Sequence, residues 1–141
     1  MYKKEENFKE KFRQALISTA KVISDDYKSL KNKKKKIDTD SFGSLELENL
    51  NDINDFTKFR AESDSAALKK KFSNKEIYQK NIPNTSSRRS LYEVSEKIRY
   101  EFLGSQMLKG ISKNLKENYN NKLAQKNNNS LKSKEDVPVT D

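Results

Sequence analysis

The sequence has no cysteine and no histidine, and only three glycines and two prolines. Without cysteine there is no disulfide framework and no thiolate chemistry. Without histidine the usual neutral-pH base and the commonest transition-metal ligand are both missing. No run of about 18 apolar residues occurs, so no stretch reads as a membrane-spanning helix. The opening "MYKKEENFKEKF" lacks the apolar core of a secretory signal, and a cytoplasmic location is the expectation. Neither G-x-x-x-x-G-K-[ST] nor G-x-G-x-x-G is present, so nucleotide binding through those loops is not expected.

What is abundant is charge. Of 141 residues, 36% are charged and 32% hydrophobic, and the mean hydropathy is −1.11. Such a chain buries a modest core and fits one small domain. Thirty basic and 21 acidic residues give a formal charge of +9. That balance raises a rival reading, a small basic nucleic-acid-binding protein using Lys33 to Lys36 and the last helix's lysines on phosphates. The arginines are only Arg13, Arg60, Arg88, Arg89 and Arg99. Arginine is the usual bidentate reader of guanine, so a solvated lysine-rich surface is the simpler account.

Periodicity predicts a mainly α fold: a small helical domain over 1–126 and a disordered tail over 127–141. Phe8, Phe12, Ala15, Leu16, Thr19, Val22 and Ile23 recur at helical steps and predict a first helix over Lys4 to Ser24. The stretch 25–45 has no helical period and includes four consecutive lysines, as expected of a short hairpin or an exposed loop. Within it "DTDSFG" faintly resembles a calcium loop, but Phe42 and Asn49 stand where oxygen ligands are required, and a turn is the better reading. Two short helices are expected near Leu50 to Phe59 and Asp64 to Phe72. "SNKE", Ser73 to Glu76, has capping-box spacing and predicts another short helix through Gln79, ended by Pro83.

The last element reads as one long helix from about Ser87 to Lys126. Ser90 with Glu93 has capping-box spacing, and Ser86 or Ser87 could equally be the cap. Leu91, Val94, Ile98, Leu108, Ile111, Leu115, Tyr119 and Leu123 form its stripe, the pattern of a core face or a helix–helix seam. Glu96 and Arg99 sit at i,i+3 and suit a surface ion pair, while Arg99 and Glu101 point to different faces. Gly104 and Gly110 interrupt the helix, each costing about 1 kcal/mol against alanine. Six residues at about 100° each set the two glycines roughly 240° apart. They cannot share one groove; close packing against two different neighbours is one expectation, and a tolerated glycine or a mild kink is the other. Adjacent acids such as Glu5–Glu6 read as dipole partners rather than an acid–base pair.

"SLYEVSEKIRYEFLGSQMLKGISKNL" resembles a segment of the CobT family of cobaltochelatase subunits. Tyr92 and Val94 fit its opening, Glu96, Arg99, Glu101, Leu103, Gly104 and Ser105 its middle, and Met107, Gly110, Asn114 and Leu115 its end. Upstream, Arg60, Asp64, Ala67 and Leu68 fit a second family segment, whereas Glu62, Asn74 and Tyr78 depart from it. "NFKEKFRQALISTAKVIS" is similar to the family's first helix. The resemblance implies a subunit of the ATP-dependent complex that inserts cobalt into a corrin ring in aerobic cobalamin biosynthesis. It implies as partners an AAA+ ATPase subunit (CobS-like) and a large tetrapyrrole-binding subunit (CobN-like). The family's usual C-terminal von Willebrand A domain carries a D-x-S-x-S metal motif, and that motif is absent from these residues. The chain therefore resembles the family's N-terminal region, an assembly module without a catalytic, cofactor or metal site of its own. ATP, Mg²⁺ and Co²⁺ would belong to the rest of the complex. Arg60, Arg99, Glu101 and Asn114 are the expected partner-interface residues.

Overall fold

The computed structural model describes residues 2–25 and 52–135, with side chains from 7–25 and 52–129. Among the described residues there are five helices and no strand. They are α1 (Tyr2–Ile23), α2 (Ile53–Phe72), α3 (Lys75–Lys80), α4 (Ser86–Met107) and α5 (Lys109–Glu135). Apart from Asp25, the expected hairpin or loop at 25–45 lies outside the described residues, as do Lys33 to Lys36.

α1 buries Leu16, Ile17, Ala20 and Ile23, while Phe8 and Val22 are exposed. Its inward face is therefore turned slightly from the expected stripe: Ile17 and Ala20 face inward in place of Ala15 and Thr19. Phe12 and Phe8 meet Phe56 of α2 edge-to-face, with ring centroids 4.9 and 5.8 Å apart. Such pairs add about 0.5–1.5 kcal/mol beyond area burial. Asp25, at φ 59°, ends α1 in the left-handed region that aspartate tolerates. Its carboxylate receives Lys71 Nζ from the last turn of α2, which closes this helix pair at one end.

The two short helices expected between Leu50 and Phe72 are one continuous helix. Asp52 caps it, with Asp55 returning the bond to the Asp52 amide at 3.1 Å. The apparent gap arises because α2 is the hub of the fold: it packs against α1, α4 and α5. Ala61, Ser63, Asp64, Ser65, Ala67 and Leu68 are all buried. A helix covered on several sides loses the one-sided period from which helices are read. Small residues at most of these positions let three neighbours approach its axis.

The capping role shifts by one residue at the next boundary. Asn74, not Ser73, caps α3, its Oδ1 accepting from the amides of Glu76 and Ile77 at 2.9 and 3.1 Å. Ser73 instead ends α2, its amide donating to the Lys69 carbonyl. Likewise α4 starts at Ser86 after Thr85, which makes no side-chain cap.

The long helix expected over 87–126 is two helices. Leu108 is extended (φ −138°, ψ 120°) and ends α4, its amide donating to the Gly104 carbonyl at 3.0 Å. Its own carbonyl accepts from Ile111 and Ser112 and opens α5. The break has a tertiary reason: α4 and α5 pack against each other as well as against α2, which a straight helix cannot do. α5 then continues to Glu135, past the expected end at Lys126. The core comprises Ala20, Ile23, Ala61, Ala67, Leu68, Tyr100, Ile111 and Leu115, with Phe72 at its margin. The predicted stripe is divided accordingly. Ile111 and Leu115 are buried, while Leu91, Val94, Ile98, Leu108 and Leu123 face solvent.

Candidate functional site

The chemistry-bearing side chains gather on the seam that α2 makes with α4 and α5. Three polar ties and one apolar contact build it.

The first tie centres on Glu101 of α4, 7% exposed. Ser65 of α2 donates to its Oε1 at 2.5 Å, and Tyr119 of α5 donates to its Oε2 at 2.6 Å. Lys97 lies one turn earlier, its Nζ 3.8 Å from the carboxylate. A buried carboxylate is costly unless charged and polar partners surround it. Here two hydroxyls and an ammonium supply them, from three helices. The same bond, with burial as the larger cause, holds the Tyr119 phenol well above its ordinary range.

The second tie joins α2 to α5. Asp64 is 3% exposed and accepts from Asn114 Nδ2 at 2.8 Å. Burial raises the Asp64 pKa; the Asn114 bond and the nearby Arg60 guanidinium act against that rise. The third tie lies at the C-terminal end of α2. Ser73 donates to Glu96 Oε1 at 2.6 Å, and Arg99 grips Glu96 through Nε and Nη2, both at 2.8 Å. The same Nη2 donates to the Phe72 carbonyl at 2.7 Å, capping α2 from a neighbouring helix. The Arg99 bond is the main reason the Glu96 carboxyl is pushed down to about 2.

The apolar contact is Gly104 against Leu68. Gly104 is buried, and Leu68, fully buried, fills the space that a side chain at 104 would need. Gly110 is exposed, with open space where its Cβ would be.

The expected interface residues are thus placed differently from one another. Arg60 is exposed, one turn before Asp64, and Arg60 and Asn114 both act on that carboxylate. Arg99 is about half exposed and bonded within the chain. Glu101 is inside. Ser65, Ser73 and Tyr119 complete the ties and were not singled out as site residues by sequence. Hydroxyls at helical positions leave no spacing signature of their own. Among the described residues no group of side chains could hold a metal ion, and no helix is long and apolar enough to cross a membrane.

The residues that make these ties are largely those that carry the family resemblance: Asp64 and Leu68 on α2, Glu96, Arg99, Glu101 and Gly104 on α4, Asn114 on α5. A comparison with curated proteins and one with solved structures each return no match. A comparison with family models returns the one described as cobalamin biosynthesis protein CobT, matched over residues 6–141. Because that match spans α1 to α5 and every residue of the seam, the chain belongs to the CobT family of cobalamin biosynthesis proteins.

Proposed function

We propose that this chain serves as an assembly module of a cobaltochelatase. It would dock an AAA+ ATPase subunit and a large tetrapyrrole-binding subunit, while ATP, Mg²⁺ and Co²⁺ are handled by the rest of the complex. The observation that carries this reading is the family match over 6–141. The use of the matched residues supports it: they bond the helices to one another. Ties of this kind suit a scaffold that presents surfaces to its partners.

In this reading the four interface residues divide into two kinds. Arg60 contacts a partner directly. Arg99, Glu101 and Asn114 act on docking through the fold, by fixing how α4 and α5 sit on α2. The test is capture of the purified ATPase and large subunits from the same genome by the full chain. Capture of at least one is expected, weakened by Arg60→Ala in a variant that circular dichroism shows to be folded. Capture of neither overturns the reading.

A further inference from the structure

α4 and α5 are parted by a single residue. The chain is helical from Ser86 to Met107 and again from Lys109 to Glu135. Between them Leu108 is extended (φ −138°, ψ 120°). Its amide donates to the Gly104 carbonyl at 3.0 Å, and its carbonyl accepts from Ile111 at 3.1 Å. Leucine is a good helix former and is no turn residue. The bend therefore rests on two dihedral angles of one residue, and their return to helical values joins α4 and α5 into one rod.

The buried residues carry the phase of such a rod. α4 buries Tyr100, Glu101 and Gly104, and among the described side chains α5 buries Ile111, Leu115 and Asn118. Projected along one unbroken helix at about 100° per residue, they all fall within an arc of about 100°. Two helices that merely meet at a bend need no common phase, because each turns its own face to the core. One straight helix with a single buried face does need it. Leu108 falls on the same arc, and in the bent chain it is 47% exposed. A straight rod cannot return α5 to the α2 and α4 of its own chain. The bonds that α5 makes through Asn114, Tyr119 and Asn121 go to Asp64, Glu101 and Asn54, all on the other side of the bend. A second copy presents the same three acceptors to the same three donors.

We propose that Leu108 is a hinge at which two copies of this chain exchange α5. In the exchanged pair α4 and α5 form one helix, and the α5 of each copy seats on the α2 and α4 of the other. The seam is then completed by the partner copy, which supplies Asn114 to Asp64 and Tyr119 to Glu101. Exchange keeps the contacts of the bent chain and is a low-cost route to a dimer. Each copy carries a formal charge of +9, so repulsion opposes the pair at low salt and added salt favours it. The exchange needs no chelatase subunit and stands or falls apart from the assembly role.

The chain has no cysteine, so introduced thiols are the only ones. Asn54 of α2 and Asn121 of α5 are joined by a hydrogen bond of 3.1 Å and mark the docked position of α5. An Asn54→Cys chain and an Asn121→Cys chain are unfolded in urea and refolded together at high concentration in about 0.5 M salt, where repulsion is screened. A short bismaleimide then links thiols that lie side by side. A cross-linked pair containing one chain of each kind is expected on a denaturing gel. The control is Lys109→Pro in both chains. Proline suits the first position of a helix and holds the residue before it extended, as Leu108 already is. Inside a straight helix it is disruptive, so this variant keeps the bend and lowers the yield of the mixed pair at least about tenfold. Circular dichroism checks that it folds. No mixed pair, or an equal yield from the folded Lys109→Pro chains, overturns the proposal. So does a dimer in sedimentation that gives no cross-link between the two kinds of chain. A Lys109→Pro chain that fails to fold overturns the bent junction from which the exchange starts.

Discussion

Gly104 of α4 stands against Leu68 of α2 so closely that a Cβ at 104 would lie 2.8 Å from Leu68 Cγ and nearer still to both methyl carbons. Leu68 is fully buried, so it could yield only by shifting within the core. Gly104→Ala is therefore expected to force α4 off α2 and to destabilise the fold by about 1–3 kcal/mol, the usual cost of overpacking. Gly110→Ala meets no atom within 4 Å and is expected to be neutral or to stabilise by up to about 1 kcal/mol. Urea denaturation of the two variants separates them by sign. Equal shifts would refute the account of the close contact.

Removal of the Glu101 carboxylate leaves two hydroxyls, of Ser65 and Tyr119, without their acceptor. Glu101→Ala should cost about 2–4 kcal/mol, since each buried donor left unmet costs about 1–3 kcal/mol less whatever water recovers. Tyr119→Phe should cost about 1 kcal/mol, because it removes one bond to a carboxylate that keeps another. Thermal unfolding reads both. A Glu101→Ala chain as stable as the parent would mean that the seam is held by apolar packing alone.

Two carboxylates should give opposite pH dependence. The Glu96 pKa falls from 4.5 to about 2 on folding, chiefly through Arg99. Its contribution to stability is full above pH 4.5 and is lost as pH falls toward 2. Glu96→Gln should therefore be less stable than the parent at pH 7 by about 1 kcal/mol, a figure reduced because Arg99 is half exposed and screened. The difference should vanish at the acid end.

Asp64 behaves in reverse. Burial raises its pKa above 3.8 in the folded chain, so the folded state holds the proton more tightly than the unfolded one. Its charge begins to lower stability as pH rises through 3.8 and does so fully above the raised folded value. Asp64→Asn keeps an acceptor for Asn114 and removes this dependence. The free energy of unfolding of the parent should fall relative to that of the variant as pH is raised across this window. Parallel curves for the two chains would show that Asp64 does not titrate differently on folding.

Much of this fold is legible in the sequence, and the misreadings share one cause. α1 has a one-sided stripe because it touches mainly α2, and it is predicted within two residues at its start. α2 is misread as two helices because Ala61, Ser63, Ser65 and Ala67 face three neighbours and blur the period. The predicted single helix at the C-terminal end breaks at Leu108, a residue with no turn chemistry of its own, because burying Ile111 and Leu115 beside Tyr100 requires a change of direction. Of the site, the sequence identified Glu101, Gly104 and Asn114 by pattern but not by partner, and Arg99 together with its i,i+3 partner Glu96. Ser65, Ser73 and Tyr119 become visible only as the other ends of their bonds.

Helical class, the absence of thiol and imidazole chemistry, the basic balance and the family pattern are properties of composition and spacing, and the sequence alone determined them. Which face of each helix is inside was decided by tertiary structure. On α4 the apolar face of Leu91, Val94, Ile98 and Phe102 is outside, and the face with Glu96, Tyr100 and Gly104 is inside. Burial on α4 follows specific complementarity, with Leu68 filling the space at Gly104 and three helices satisfying one carboxylate. Hydrophobic periodicity measures how apolar a face is, and it carries no information on whether another surface fits that face.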